Sequence, residues 1–439
     1  MTLKLGCIAD DFTGGTDLAN NLVRAGMRTV QAIGVPSAQD GPVPDADAVV
    51  VALKSRTAPV AQAVAEALAA ARWLRQGGAT QIYFKVCSTF DSTPAGNIGP
   101  VTEALMDALA APFVVVTPAF PENARTVYKG HLFVGDLLLS DSPMRQHPLT
   151  PMSDANLVRV LQAQLDPARG RRVGLIEHRT VARGPAAIAE RIATLRAEGI
   201  TLAIVDALAD ADLRVLAAAA SALPLVVAGS GLAIGMPVLH GLAPSAQAAR
   251  LPIATGHRAV VAGSCSAATN AQVAAFIAAG GAAFAVDPLR LAAGHDVAGD
   301  ALAWAQPRLG AVPVLVYATA EPAAVRAVQA QLGAERAGAL VEGTLARVAR
   351  GLVDAGTGQL VVAGGETSGA CVQALGIRQL RIGPQIDPGV PWCQAATPAR
   401  AAGLHLALKS GNFGGPNFFH SAFELLSAPG TPTVTGEEP

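Results

Sequence analysis

Two adjacent carboxylates, Asp10 and Asp11, follow an apolar run near the start of the chain and precede a glycine pair. The run from Leu3 to Ala9 predicts a buried strand, and Gly14-Gly15 followed by apolar residues at helical spacing predicts a turn and then a helix. The carboxyl ends of strands in open α/β sheets border the ligand crevice, so this position suits catalytic acids. The alternative is that one Asp only caps the following helix, since Asp is a preferred N-cap residue.

A second polar cluster follows the predicted strand from Gln81 to Phe84. It begins with Lys85 in a chain where only five of the 32 basic residues are lysine, and a lysine supplies a compact, mobile charge. Hydroxyl groups and a further acid follow at once, and the candidate ligand-binding residues are Lys85, Ser88, Thr89 and Asp91. The alternative is a solvated turn in which Asp91 and Ser92 cap the next helix.

Arg56 lies just after another apolar run, Ala48 to Leu53. An arginine at that place is a candidate clamp for a carboxylate, because its guanidinium can donate two parallel hydrogen bonds. The alternative is an ordinary surface arginine.

Three glycine-rich turns occur in the second half of the chain. Each follows an apolar run, and together they are Gly263-Ser264-Cys265-Ser266, Gly364-Gly365-Glu366-Thr367 and Lys409-Ser410-Gly411-Asn412-Phe413-Gly414. A strand, a glycine turn and a helix start form the arrangement in which backbone N–H groups and the helix dipole hold phosphate. One such turn is weak evidence, but three favour nucleotide binding.

Two familiar nucleotide motifs are absent from the sequence. There is no G-x-x-x-x-G-K-[ST] motif, which excludes a Walker-type ATPase. The segment Gly229 to Gly235 has the wrong spacing for a dinucleotide fingerprint and lacks the acid about 20 residues on, so we interpret it as a structural turn. The histidines are scattered without metal-binding spacing, and we predict no protein metal site.

Composition narrows the class of partner. The net charge is -1, which gives no basic field to attract nucleic acid or an anionic membrane. The five cysteines are odd in number and contain no C-x-x-C pair, so we expect neither disulfides nor zinc and a cytoplasmic protein. Long uncharged stretches are interrupted by proline and glycine turns, which argues against a membrane span. The sequence leaves the oligomeric state open, and a homo-oligomer is compatible with it.

Strand patterns alternate with Ala-rich helical patterns along the chain, which predicts an α/β fold of two domains, each a largely parallel sheet flanked by helices. A segment rich in proline, serine and glycine, 241–256, is the best linker candidate. We therefore expect domains at 1–240 and 257–426, and a frayed tail at 427–439.

The motifs around Asp10-Asp11, Lys85 to Ser92, Gly263 to Ser266, Gly364 to Thr367 and Lys409 to Gly414 occur in one order. Together they resemble the four-carbon acid sugar kinase family, over nearly the whole chain from Leu5 to about Phe423. Within that family, segments Pro118 to Asn123, Gly130 to Gly135 and Gln385 to Trp392 look most like members that act on 3-oxo-tetronate.

The resemblance implies an N-terminal domain that binds the sugar acid, a C-terminal domain that binds ATP, and an active-site cleft between them. The implied reaction transfers phosphate from ATP, with Mg²⁺, to the terminal hydroxyl of the acid. Asp10 or Asp11 is the expected general base. The sugar acid is expected against Arg56, Lys85, Ser88, Thr89 and Asp91. ATP is expected against Ser264, Ser266, Gly364, Gly365, Glu366, Thr367 and Gly411.

The sequence leaves other functions open besides a kinase that acts on 3-oxo-tetronate. A kinase for D-threonate, L-threonate or D-erythronate would share the same motifs. An NAD-dependent sugar-acid dehydrogenase would need a dinucleotide fingerprint, and a non-catalytic sugar-acid sensor would have no need of three glycine-rich turns.

Overall fold

The chain forms two compact α/β units, Met1–Ala248 and Ala249–Pro439, which confirms the predicted fold class. This is a computed structural model, and it describes residues 3–37, 44–146 and 150–427. The boundary between the units lies inside the segment 241–256. The predicted tail lies outside the described residues except for its first residue, Ser427, and the predicted cleft stays a prediction.

The strands of the first unit coincide closely with its apolar runs. They are β1 (Leu5–Ala9), β2 (Thr29–Ile33), β3 (Ala48–Ala52), β4 (Gln81–Lys85), β5 (Val114–Thr117), β6 (Arg125–Tyr128), β7 (His131–Val134), β8 (Leu137–Leu138), β9 (Val173–Ile176), β10 (Leu202–Val205) and β11 (Leu225–Ala228). A parallel sheet runs in the order β2-β3-β1-β4-β11-β5-β10-β9. Strands β6 to β8 form a small antiparallel sheet that the sequence did not predict.

Helices cover this parallel sheet. They are α1 (Phe12–Arg24), α2 (Val60–Gln76), α3 (Ile98–Ala108), α4 (Leu157–Gln164), α5 (His178–Val181), α6 (Pro185–Ala197) and α7 (Asp210–Ala219). The prediction that Gly14-Gly15 forms the turn before the first helix is wrong, since both glycines lie inside α1. The helix begins earlier because the Asp11 side chain accepts a hydrogen bond from the Gly14 amide and so caps it.

The second unit contains β12 (His257–Ala262), β13 (Ala283–Ala285), β14 (Val314–Tyr317), β15 (Thr357–Ala363), β16 (Gln379–Asp387), β17 (Val390–Thr397) and β18 (Arg400–Lys409). Its sheet order is β13-β14-β12-β15-β18-β17-β16. The neighbouring strands β13, β14, β12, β15 and β18 are parallel, but β17 is antiparallel to both β18 and β16, a departure from the largely parallel prediction. The two-residue connections 388–389 and 398–399 are the reason, because a parallel pair needs a crossover of a dozen or more residues.

The helices of the second unit are α8 (Ala267–Ala278), α9 (Pro288–Ala292), α10 (Val297–Ala305), α11 (Pro322–Leu332), α12 (Ala334–Asp354), α13 (Gly365–Ala374), α14 (Phe418–Ser421) and α15 (Glu424–Ser427). A cluster of aromatic side chains, including Phe276, Trp392, Phe418 and Phe423, packs against strands β12, β15 and β18. The Trp392 indole N–H is buried with it and donates to the Ala422 carbonyl at 2.7 Å.

Apolar burial accounts for the strand pattern in both units. Strands β1, β3, β5, β10 and β11 are fully buried, as expected where helices cover both faces of a parallel sheet.

All five cysteines are free thiols. Among the helices described, none combines the length and the apolarity needed to cross a membrane.

Candidate active site

Register brings three strand ends of the first unit to one place. Ala9, the last residue of β1, pairs with Ala52 of β3 on one side and with Lys85 of β4 on the other. Asp10, the next residue, is tied to both neighbours through its backbone: its amide donates to the Lys85 carbonyl, and its carbonyl accepts from the Arg56 amide. Asp10, Arg56 and Lys85 therefore meet at the carboxyl edge of the sheet, as the sequence predicted.

These side chains form an ion-pair cluster. The Arg56 guanidinium donates to both carboxylate oxygens of Asp10 at 2.9 Å, a bidentate pair. One of the two donor atoms, Arg56 Nη2, also lies 2.9 Å from Asp11 Oδ1. Lys85 Nζ lies 3.4 Å from Asp11 Oδ1 and 4.0 Å from Asp10 Oδ1. Two cations and two carboxylates thus neutralise one another in a site that is largely closed to water.

Both Lys85 and Asp11 stay charged at neutral pH. Burial raises the pKa of Asp11, but Arg56 and Lys85 lower it more and hold it at about 2. Burial lowers the pKa of Lys85, but Asp11 and Asp10 raise it more, so that it exceeds its usual value. Asp11 also caps α1, so it combines the capping role with a place in the charged cluster.

The loop after β4 brings the third acid to the cluster. Asp91 Oδ2 lies 3.7 Å from Arg56 Nη1, while its Oδ1 accepts from the Thr89 hydroxyl. Between them the buried Phe90 has φ of 52°, a left-handed backbone that is strained for an aromatic residue. Ser88 is half-buried in the same loop. The alternative in which Asp91 caps the next helix is wrong, because α3 begins at Ile98 with Asn97 at its N-cap.

Asn97 is a site residue that sequence reasoning missed. Its side-chain amide donates to the Ser55 and Ala58 carbonyls at 2.7 and 2.9 Å, which fixes the segment carrying Arg56. Asn before a helix signals an N-cap, but nothing in the sequence connects it to carbonyls some 40 residues earlier.

Asp17, which follows the acid pair on α1, lies apart from the cluster. Its Oδ2 accepts from the Ser230 hydroxyl, and burial raises its pKa to about 6. Ser230 belongs to a 3₁₀ segment, Ser230–Gly235, directly after β11. A Cβ at Gly229 would lie 2.6 Å from the Pro118 carbonyl oxygen, which agrees with a close-packed structural turn.

The glycine-rich turns of the second unit also share one edge. Strands β12, β15 and β18 are parallel neighbours, so their carboxyl ends coincide. Backbone bonds link the turns: the Gly263 amide donates to the Ala363 carbonyl, and the Gly364 amide donates to the Lys409 carbonyl. The Ser266 hydroxyl donates to the Gly411 carbonyl at 2.6 Å. The structure therefore brings together every residue expected to hold ATP.

Close approach of neighbouring atoms explains two of these glycines, and backbone conformation explains a third. A Cβ would lie 2.2 Å from Thr367 Oγ1 at Gly263 and 2.4 Å from Ser264 Oγ at Gly411, and Gly364 has φ of 127°. Gly365 differs, because a Cβ there would meet no atom within 4 Å. It is exposed beside Glu366 at the start of α13, so the space above it is open to a ligand.

Two helix N-termini face this edge. Helix α8 starts after Ser266, whose side chain accepts from the Thr269 amide, and helix α13 starts after Gly364. Free amides and the positive end of a helix dipole attract phosphate. Within the described ranges, no three His, Cys, Asp or Glu side chains lie close enough together to form a metal site.

Comparison with known proteins assigns both units. Residues 5–236 match a family model described as a sugar-binding N-terminal domain, and residues 259–419 match one described as a nucleotide-binding C-terminal domain. The chain belongs to the four-carbon acid sugar kinase family.

Curated relatives cover nearly the whole chain. A 3-oxo-tetronate kinase of Pseudomonas fluorescens and one of Cupriavidus necator are each 58% identical over 96% of this chain and 97% of their own. Among solved structures, a Salmonella typhimurium LT2 protein, described there as a candidate tRNA synthase, is 43% identical with a TM-score of 0.85. The match covers 95% of this chain and 98% of that one.

Gly14 is required by the close approach of Lys85 to α1. A Cβ at this position would lie 1.8 Å from Lys85 Nζ and 2.1 Å from Asp11 Oδ1. We expect Gly14→Ala to lower the free energy of unfolding by about 1–3 kcal/mol, as overpacking does. Chemical denaturation measures this change. The matched control is Gly343→Ala, also inside a helix but open, which should be neutral or stabilising by about 0.5–1 kcal/mol. Equal effects at the two positions would contradict the assignment.

Proposed function

We propose that the protein is an ATP-dependent 3-oxo-tetronate kinase, which transfers the γ-phosphoryl group of ATP to the terminal (C4) hydroxyl and yields 3-oxo-tetronate 4-phosphate. The observation that carries the proposal is the 58% identity, over 96% of the chain, to two curated 3-oxo-tetronate kinases. The tRNA synthase description of the Salmonella protein gains no support here, since a net charge of -1 offers no basic field to tRNA.

The charged cluster of the first unit is the proposed site of the sugar acid. Among the described residues, Arg56 Nη1 has no hydrogen-bond partner, and Asp91 Oδ2 lies 3.7 Å from it, so its N–H groups are available to a substrate carboxylate. Within the part of the chain that the structure describes, Lys85 Nζ donates one hydrogen bond, to Asp11, which leaves two further hydrogens for substrate oxygens. Thr89 already donates to Asp91, which leaves Lys85 and Ser88 as the better donors.

The carboxylates of the cluster differ in their freedom to accept a proton. Both oxygens of Asp10 accept from Arg56, and a pKa of about 2 makes Asp11 a weak base in this state. Asp91 Oδ2 is the least engaged oxygen. Phosphoryl transfer depends more on positioning and charge neutralisation than on a strong base. Asp10 and Asp11 therefore remain the proposed catalytic pair, and Asp91 is the alternative general base.

The nucleotide site is proposed at the glycine-rich edge of the second unit. Amides at the starts of α8 and α13 and the hydroxyls of Ser264, Ser266 and Thr367 are donors suited to phosphate oxygens. Mg²⁺ is proposed to arrive with ATP, held by phosphate oxygens and water, because the described residues offer it no protein cage.

Free cysteines bear on the compartment in which the enzyme works. Five free thiols are usual in a reducing compartment, which supports the cytoplasm. The oligomeric state stays open, with a homo-oligomer as one alternative, and light scattering of the purified protein distinguishes it from a monomer.

Asp10→Asn and Asp11→Asn should each lower kcat by about 10² or more, the range expected for loss of a catalytic carboxylate. ADP binding, measured by calorimetry, should persist because the nucleotide site lies in the other unit. Thermal unfolding must accompany the assay, since either change leaves a buried cation short of a partner. Near-normal turnover in both variants would transfer the role of base to Asp91.

Gly365→Val should abolish ADP binding and leave sugar-acid binding unchanged. The physical reason is that a Cβ at this position would meet no protein atom within 4 Å, so the new side chain is expected to occupy the space proposed for the phosphates. Gly343→Val, an equally open glycine of α12, is the control and should bind both ligands. Loss of both ligands in Gly365→Val would indicate misfolding and reject the steric explanation.

Substrate choice follows from the donors in the first unit. A keto oxygen only accepts hydrogen bonds, so a site that directs Lys85 and Ser88 at it should disfavour a hydroxyl there by factors of up to roughly 10⁴. We expect kcat/KM for 3-oxo-tetronate to exceed those for threonate and erythronate in a coupled ATP-consumption assay. Lys85→Met should reduce both rate and preference, with Lys129→Met, an exposed lysine, as control. Comparable efficiency on D-threonate would overturn the substrate while leaving the kinase.

A further inference from the structure

Lys409, the last residue of β18, carries a fully buried amine. Its Nζ lies 3.0 Å from each of three oxygen atoms, Thr269 Oγ1 and the carbonyls of Ser410 and Gly411. Among the described residues, no carboxylate lies within ion-pairing distance of it. The acceptors are therefore all neutral, and the charge has no counter-ion.

Among the described residues, no titratable group forms an ion pair with this amine. Asp387 contacts the loop after β18, but its Oδ2 accepts from the Gly415 amide at 2.8 Å and no ion pair joins it to Lys409. Strand β15, helix α8 and the loop 410–415, which contact Lys409, contain no titratable side chain. Strand β17 carries Cys393, and burial raises the pKa of this thiol, so it is neutral. Helix α13 carries Cys371, whose pKa burial raises to about 12, and Glu366, which is exposed. An isolated buried charge is unfavourable, and burial lowers the pKa of Lys409 to about 7.

Lys85 provides a comparison within the same chain. It too is buried at the end of a parallel strand, but it faces Asp10 and Asp11, and its pKa is raised. The two lysines differ in having or lacking carboxylate partners. Among the described residues, Lys409 thus lacks the carboxylate partner that keeps Lys85 charged.

The hydrogen bonds around Lys409 fit its neutral form. The Gly411 carbonyl is approached by three donors, Lys409 Nζ, Ser266 Oγ and Thr269 Oγ1, the last at 2.9 Å, although it has two lone pairs. A neutral amine donates to the two carbonyls and accepts from the Thr269 hydroxyl, which leaves two donors at Gly411. A charged amine has no lone pair, so Thr269 must turn to Gly411 and crowd it.

We propose that Lys409 is a positioning residue of the nucleotide site that takes up a proton from solvent when the phosphates of ATP or ADP bind. The amine becomes an ammonium, and the bound phosphates are its counter-ion. If Ser266 turns its hydroxyl to a phosphate oxygen, the Gly411 carbonyl is released to the charged lysine. The inference rests on the proposed function, because it takes the glycine-rich edge to be the nucleotide site.

Calorimetry of ADP binding to the full chain tests the proposal. Titrations are run at about pH 8 in HEPES and in Tris, whose ionisation enthalpies differ. The difference between the two apparent binding enthalpies, divided by the difference between the buffer ionisation enthalpies, should correspond to the uptake of nearly one proton per ADP. The uptake should vanish at about pH 6, where the amine is already charged before binding. The dissociation constant should rise by up to about tenfold per pH unit above 7, since the free protein must first acquire the proton.

Two variants test whether the proton that is taken up on ADP binding goes to the Lys409 amine. Lys409→Met keeps the length of the side chain and should bind ADP more weakly, with equal apparent enthalpies in the two buffers. Lys129→Met should behave as wild type. Without nucleotide, the unfolding free energy of wild type should rise relative to Lys409→Met from about pH 7 to 10. The sign follows because the unfolded chain retains the lysine proton there and the folded chain does not.

The outcomes separate this inference from the proposed function. No ADP binding by wild type would reject the nucleotide site itself. Binding without buffer dependence at about pH 8, or proton uptake that persists in Lys409→Met, would overturn the role of Lys409 alone. The wild-type titrations decide the question even if Lys409→Met does not fold.

Discussion

The bidentate pair between Arg56 and Asp10 is the contact on which the first unit's site depends. It joins the end of β1 to the segment after β3 and places the Arg56 guanidinium where, with Lys85, it keeps the pKa of the partly buried Asp11 low, while the carboxylates keep the pKa of the buried Lys85 high. Removing one partner of a buried ion pair destabilises by about 3–5 kcal/mol, because the other charge is left uncompensated. Geometry, charge state and stability are therefore coupled here, and each substitution in the cluster must be assayed for folding as well as for turnover.

The two units use lysine in opposite ways. In the first, Lys85 is surrounded by carboxylates, so its charge is fixed before any ligand arrives. In the second, Lys409 contacts two carbonyls and one hydroxyl, and no carboxylate among the described residues pairs with it, so we infer that its charge depends on nucleotide binding. A small acid with one carboxylate and several hydroxyls suits a neutralised cluster with spare donors. A polyphosphate suits helix N-termini and an uncompensated cation.

The glycines divide in a similar way. Gly14, Gly263 and Gly411 are required by neighbouring protein atoms, since a Cβ at any of them would clash. Gly365 is required by nothing in the protein, which makes it the position where a substitution can separate ligand binding from folding. Sequence shows the same residue at all four positions, and only the packing distinguishes them.

The sequence by itself determined the α/β class, most parallel strands, and which polar motifs lie together at the end of each sheet. Buried parallel strands are short apolar runs ended by glycine or polar residues, and the carboxyl ends of such strands share an edge, so Asp10, Lys85 and the glycine-rich turns could be grouped from the pattern alone. Tertiary structure decided the rest. The hairpins β6 to β8 and β16 to β18, the start of α1 before its glycines, the Asn97 contact with Ser55, and the contrast between Lys85 and Lys409 all depend on which groups meet across the fold. Such pairings determine burial and charge, and residues far apart in sequence carry no local sign of them.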